Sequence, residues 1–230
     1  MQIVRWRKFA DAGALTQAAV DEITRAAQAA IAARGVFHLV LAGGRTPLAA
    51  YSQLEAPEQD WGRWHIYFGD ERCYPAGHAQ RNDAAILAAW LDRVVIPTDQ
   101  IHRIPAELGA QQAAEQYIEV LKAVGDFDLV LLGLGEDGHT ASLFPGQPLG
   151  DTHDSPDALA VHDAPKPPRE RVSMSAARLS RARQVLFLVT GRDKRAALAA
   201  WRRGEELPAR HIVPTGGVDV YVDGEADAAV

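Results

Sequence analysis

Asp137 and His139 lie two residues apart inside the glycine-rich segment GLGEDGHTASLFPG (133–146), and are the pair best suited to acid-base chemistry. An imidazole titrates near neutral pH and can serve as a general base, while a neighbouring carboxylate can orient the ring or contact substrate. Gly133, Gly135 and Gly138 bracket the pair and allow close ligand approach that side chains would obstruct. Asp and Gly are also ordinary turn residues, and a histidine after a turn can simply cap the next helix. The preceding FDLVLL (127–132) is a short apolar run that fits a strand buried on both faces of a parallel sheet. That places the pair at the sheet edge where open α/β folds bind ligands.

Further candidates follow other strand-like runs. Gly43-Gly44-Arg45-Thr46-Pro47 comes after one, with Thr46 as a helix N-cap and Pro47 as the first helical residue. Free amides and the positive end of the helix dipole suit an anion there, although a simple capped turn reads equally well. The segment lacks the G-x-x-x-x-G-K-[ST] and G-x-G-x-x-G patterns, so a smaller phosphorylated ligand fits better than ATP or NAD. Gly69-Asp70-Glu71-Arg72 follows the next strand-like run, where Arg72 offers bidentate donors for phosphate. Asp70 and Glu71 could join a salt-bridge network or bind a cation, but no metal-specific ligand spacing appears, and no metal is expected. Lys166, Arg169 and Lys194 are further basic candidates. Lys194, in the first turn of a helix, is unfavourable for the dipole unless an anion sits beside it.

The elements that must position these residues alternate. Helices are expected over Leu15 to Arg34, with Gly35 as the stop, from Pro47, and over Gln80 to Val95, Gly109 to Val124 and Asp193 to Arg203. Strands are expected over Val36 to Ala42, Trp64 to Phe68, Phe127 to Leu132, Val185 to Thr190 and Val218 to Val222. This rhythm implies an α/β fold of Rossmann-like, three-layer type: a mostly parallel sheet flanked by helices, in a single domain over 1–230. The proline-rich stretch 146–169 breaks the rhythm and reads as a long functional loop.

A net charge of -6 and a pI of about 5.7 give no support to a nucleic-acid or anionic-membrane partner. Cys73, the single cysteine, excludes an intrachain disulfide and fits a reducing compartment. The N-terminus has no long apolar stretch and no segment approaches the ~20 apolar residues of a membrane span, so a soluble, cytoplasmic protein is expected. Monomer is the default, and the other histidines, among them His38, His65 and His102, read as structural or solvent-facing.

AGGRTP (42–47), FGDERC (68–73), FDLVLLGLGEDGHTASLFPG (127–146), APKPPRERVSMS (164–175) and TGRDKRAAL (190–198) together resemble the 6-phosphogluconolactonase family, in consistent order through most of the chain. The resemblance implies hydrolysis of 6-phospho-D-glucono-1,5-lactone in the oxidative pentose phosphate pathway, without metal or organic cofactor, on a fold shared with glucosamine-6-phosphate deaminases. It makes His139 the base that activates water, sets Asp70 and Asp137 in the surrounding polar site, and gives phosphate to Arg72, Arg169 and Lys194. Arg45 stands where the family often has serine in GGSTP. The hydroxyl contact is lost there, and the backbone amides and Thr46 remain.

The nearest alternative is an aminosugar-phosphate deaminase or isomerase. Related deaminases carry a glutamate shortly after the histidine, whereas Thr140 to Gly146 contains no carboxylate. A non-catalytic sugar-phosphate-binding protein or sensor is the other alternative. A regulator of that kind would need a DNA-binding module, and no basic helix-turn-helix precedes the first long helix.

Overall fold

A computed structural model describes residues 2–54 and 59–228. Along the chain run β1 (Val4–Lys8), α1 (Ala12–Arg34), β2 (Phe37–Leu41), α2 (Arg45–Tyr51), β3 (Trp64–Phe68), β4 (Asp70–Arg72) and α3 (Asn82–Ala89). There follow β5 (Ile101–His102), α4 (Ala110–Lys122), β6 (Leu129–Gly133), β7 (Ala158–Val161), β8 (Arg171–Met174) and α5 (Ala176–Ser180). The last elements are β9 (Val185–Val189), α6 (Arg195–Arg203), β10 (Val218–Val222) and α7 (Gly224–Asp227).

Seven strands form a parallel sheet in the order β1-β10-β9-β6-β2-β3-β5. All five residues of β9 and the first four of β6 are buried, so both faces of the sheet are covered, as continuous Val and Leu runs require. One apolar cluster runs from Leu15 of α1 to Ala226 of α7. This is the Rossmann-like α/β fold expected. The chain proceeds from β2 outward to β3 and from β6 outward to β9, so the order reverses between β2 and β6. A crevice opens beyond the carboxyl ends of strands at such a point.

The differences from the expected elements have local causes. α1 begins three residues early because the Asp11 carboxylate caps it by accepting from the Ala14 amide, while Gly35 ends it with φ 76° as expected. α2 begins at Arg45, not Pro47, and its cap is Gly44 at φ 103°. Thr46 is therefore inside the helix and is not its N-cap. Helix 80–95 contracts to Asn82–Ala89 followed by a 3-10 turn, Leu91–Arg93. The stretch 146–169 is not loop throughout, since β7 lies in it and joins β8 and β4 in a three-stranded antiparallel sheet.

His38, His65 and His102 occupy neighbouring strands at the end of the sheet away from the crevice. Ring centroids lie 5.1 Å apart for His38–His65 and 5.5 Å for His65–His102, with Nδ1 of His65 3.2 Å from Nε2 of His102. Burial lowers the pKa of all three, and mutual repulsion adds to this at His38 and His102. The unfolded chain takes up these protons first, so stability is full above about pH 6.5 and is lost as pH falls from there toward the lowered folded values. Thermal melts between pH 7 and 5 should show this loss, and His65→Gln should reduce it. An identical pH slope in the variant would remove the ladder as its source.

Candidate active site

A cavity of about 340 Å³ occupies the crevice. Its wall takes Gly43 and Gly44 from the β2–α2 loop, Arg45 to Pro47 from the start of α2, Asp70 and Arg72 from β4, and, at and beyond the end of β6, Gly133 to Gly135 and His139 to Ala141. Asn82, Arg171, Thr190 and Lys194 complete its polar lining.

Two buried tyrosines fix the strand ends that feed the wall. The Tyr51 hydroxyl accepts from the Ala42 amide at 3.0 Å and donates to the Ala42 carbonyl at 3.1 Å, at the end of β2. The Tyr117 hydroxyl does the same to Phe68 at the end of β3, at 3.0 and 3.1 Å. Thr46 and Thr190 share a hydroxyl contact of 2.6 Å, joining the glycine loop to the end of β9. A Cβ at Gly43 would fall 2.2 Å from Oδ1 of Asn82, so any other residue there would displace the Asn82 side chain.

Strand alternation sorts Asp70-Glu71-Arg72. Asp70 and Arg72 share the face toward the cavity. Glu71 points the other way and is buried, with its carboxylate accepting from the amides of Arg72, Asn82 and Asp83 at 2.7, 2.7 and 2.8 Å. Burial pushes its pKa up against those bonds. Glu71 thus caps α3 and takes no part in the wall, and the buried Arg81 beside it pairs with Asp83 at 2.9 Å and Glu107 at 2.6 Å. Asp70 accepts from Ser142 Oγ at 2.6 Å and from Asn82 Nδ2 at 3.2 Å. Arg72 donates from Nη1 to the Gln80 carbonyl at 3.0 Å, and its buried Nε has no partner.

His139 stands on the wall with Nδ1 2.5 Å from Oδ1 of Asp137. The same oxygen accepts from the His139 amide at 3.1 Å. Partial burial alone would raise the Asp137 carboxyl, but the His139 hydrogen bond and charge outweigh it and hold the group at about 2. The carboxylate is therefore ionised at neutral pH, so Nδ1 carries the proton and donates it, leaving the Nε2 lone pair free for a water. Asp137 itself is not on the cavity wall, which favours orientation of the ring over contact with substrate.

The basic candidates divide. Arg45 and Lys194 line the cavity, and Lys194 Nζ lies 2.9 Å from Oδ2 of its neighbour Asp193. A 3-10 turn, Arg192–Lys194, precedes α6, so Lys194 occupies the cap position and not the first helical turn. Arg169 is not on the wall: it is 73% exposed and pairs with Asp163 at 3.1 Å. Arg171, two residues on, takes the wall position because β8 begins there and pairs it with Arg72 across β4. Lys166 pairs with Glu136 at 2.5 Å. α2 has only seven residues, so it contributes first-turn amides and little dipole, and charge for an anion comes from the side chains. Half-burial raises the Cys73 thiol to about 11, which makes it a poor nucleophile. Among the described residues, no three His, Cys, Asp or Glu side chains converge as metal ligands.

Residues 10–221 match the family described as glucosamine-6-phosphate isomerases/6-phosphogluconolactonase. A GDH/6PGL endoplasmic bifunctional protein of Oryctolagus cuniculus is 38% identical over 223 residues, covering 90% of this chain and 28% of that longer protein. A 6-phosphogluconolactonase of Synechocystis sp. is 36% identical over 230 residues, covering 92% of each. The crystal structure of 6-phosphogluconolactonase from Thermotoga maritima superposes with a TM-score of 0.87 at 28% identity, covering 96% of this chain and 100% of that one.

Proposed function

The chain belongs to the glucosamine-6-phosphate isomerase and 6-phosphogluconolactonase family, and from that premise we propose that it hydrolyses 6-phospho-D-glucono-1,5-lactone to 6-phospho-D-gluconate. The observation that carries the reading is the ionised Asp137 on Nδ1 of His139, at the wall of a cavity edged by Arg45, Arg72 and Lys194. The 92% two-way coverage with the Synechocystis lactonase supports it.

Nε2 of His139 takes a proton from water as the water oxygen bonds to the lactone carbonyl carbon. The tetrahedral intermediate collapses with cleavage of the bond from that carbon to the ring oxygen. The imidazolium returns its proton to the departing oxygen, and the new acid ionises. A lactone is already activated, so no covalent nucleophile is required. Arg72 and Lys194, with Arg45 and the amides around Gly43, Gly44 and Thr46, hold the phosphate and so aim the carbonyl at His139. Arg169 stands too far out on its loop to share this role in the conformation described. Asp70, held by Ser142 and Asn82, forms the polar wall near the sugar hydroxyls. The deaminase reading gains nothing, because Thr140–Gly146 carries no carboxylate.

The reading extends to a single-domain, monomeric enzyme of the cytoplasm that needs no metal or organic cofactor. No helix among the described residues is long and apolar enough to cross a membrane. The test is the disappearance of freshly generated lactone, with spontaneous hydrolysis subtracted, with and without EDTA. Acceleration that survives EDTA supports the reading, and no acceleration by folded protein rejects it.

Arg72→Ala and Lys194→Ala should each raise KM about tenfold to a hundredfold, as loss of a charge-assisted hydrogen bond worth about 1.5–3 kcal/mol implies. Product affinity should fall in parallel by calorimetry. Wild-type KM and product affinity in both variants would place the phosphate elsewhere.

A further inference from the structure

The Asp137 hydrogen bond fixes one nitrogen of His139, but a single bond leaves the ring free to tilt about it, and a general base needs its lone pair aimed within about 10–20°. Two other contacts bear on that tilt. The imidazole lies so close to Gly135 that a Cβ there would meet Nδ1 at 2.0 Å. The Phe144 ring packs against it with centroids 4.9 Å apart at 44°.

Phe144 is itself held. It is buried in a small apolar cluster with Val161 and Ala164, apart from the main core. The Arg171 guanidinium lies over its ring, 5.5 Å from the centroid. Arg171 donates from Nη2 to the Lys166 carbonyl at 2.9 Å and from Nε to the Pro168 carbonyl at 3.2 Å. It is nearly buried, and it makes no ion pair among those described. A guanidinium anchored by two carbonyls is thus placed to press one aromatic ring.

We propose that Phe144 is a positioning residue for His139, setting the tilt that Asp137 leaves free, and that Arg171 holds Phe144 in place. The tight turn between them makes the contact local: Thr140 and Leu143 exchange backbone hydrogen bonds, of 3.3 and 2.9 Å, so the chain folds straight back from His139 to Phe144. Neither side chain touches the reacting atoms. Their effect is on where Nε2 points.

The inference deepens the lactonase reading and rests on it only for its kinetic arm. Phe144→Leu should lower kcat about tenfold with KM within about twofold, since small misplacements of a base act on rate more than on binding. Nitrogen-15 and carbon-13 relaxation of the His139 imidazole should show a fixed ring in the wild type and added ring motion in Phe144→Leu. Phe144→Tyr should restore both. Wild-type kcat, or unchanged ring motion, in a folded Phe144→Leu would overturn the proposal. If Phe144→Leu does not fold, Arg171→Met decides by the same two criteria, with a kcat loss of about threefold expected. Should the wild type show no lactone hydrolysis, the functional reading fails while the spectra still decide this one.

Discussion

His139→Asn lowers kcat by about 10²- to 10⁴-fold, the range that a positioned general base contributes, while product affinity stays at the wild-type value. The two effects separate because the imidazole is one part of the wall, whereas Arg72 and Lys194 belong to β4 and to the segment before α6. The His139 side chain is only partly buried, so its loss opens no core cavity, and the melting temperature should change little. Asparagine keeps a polar group facing Asp137 but has no lone pair where Nε2 stood. Lactone kinetics after background subtraction, calorimetry with 6-phosphogluconate and a thermal melt measure the three quantities. Wild-type turnover by a folded variant would remove His139 as the base.

Gly135→Ala should cost about 10²-fold in kcat, as expected when a reacting group is displaced by about 1 Å. The added carbon would sit 2.0 Å from Nδ1 and 2.2 Å from Cε1 of His139, so the ring must move and the Asp137 bond must break or bend. Gly135 does not have positive φ, so alanine is compatible with the backbone and the effect is steric. This distinguishes it from Gly138 at φ 84°, where a side chain would also strain the turn and press Leu207. A structure of the variant with the imidazole unmoved, together with wild-type kcat, would contradict the packing described.

The sheet was legible wherever strands were continuous apolar runs. β3 and β10 were delimited to the residue, because WHIYF and VDVYV are bounded by turn residues. β1 was not recognised. VRWRK is an edge strand, half solvated and rich in charge, and its partner β10 lies some two hundred residues away. β4 and β8 are short and carry charged residues among few apolar ones, and each is held by pairing, β4 with β8 and β8 also with β7. At the site, His139, Asp137, Asp70, Arg72 and Lys194 stood out by chemical type after strand ends. Asn82, Thr190, Tyr51 and Tyr117 did not, since each matters through a contact with a distant segment that no local pattern encodes. Arg169 and Arg171 differ only in position relative to the start of β8, which decides which guanidinium reaches the cavity.

The sheet order also has a consequence for synthesis. β1 pairs with β10, which in turn pairs with β9. β1 therefore has no partner until β10 has left the ribosome, by which time β2, β3, β6 and β9 can already have assembled the crevice around His139. β1 is then a closing strand: it arrives after the crevice and covers the outer edge of β10 by backbone pairing, leaving its own charged residues on the new edge.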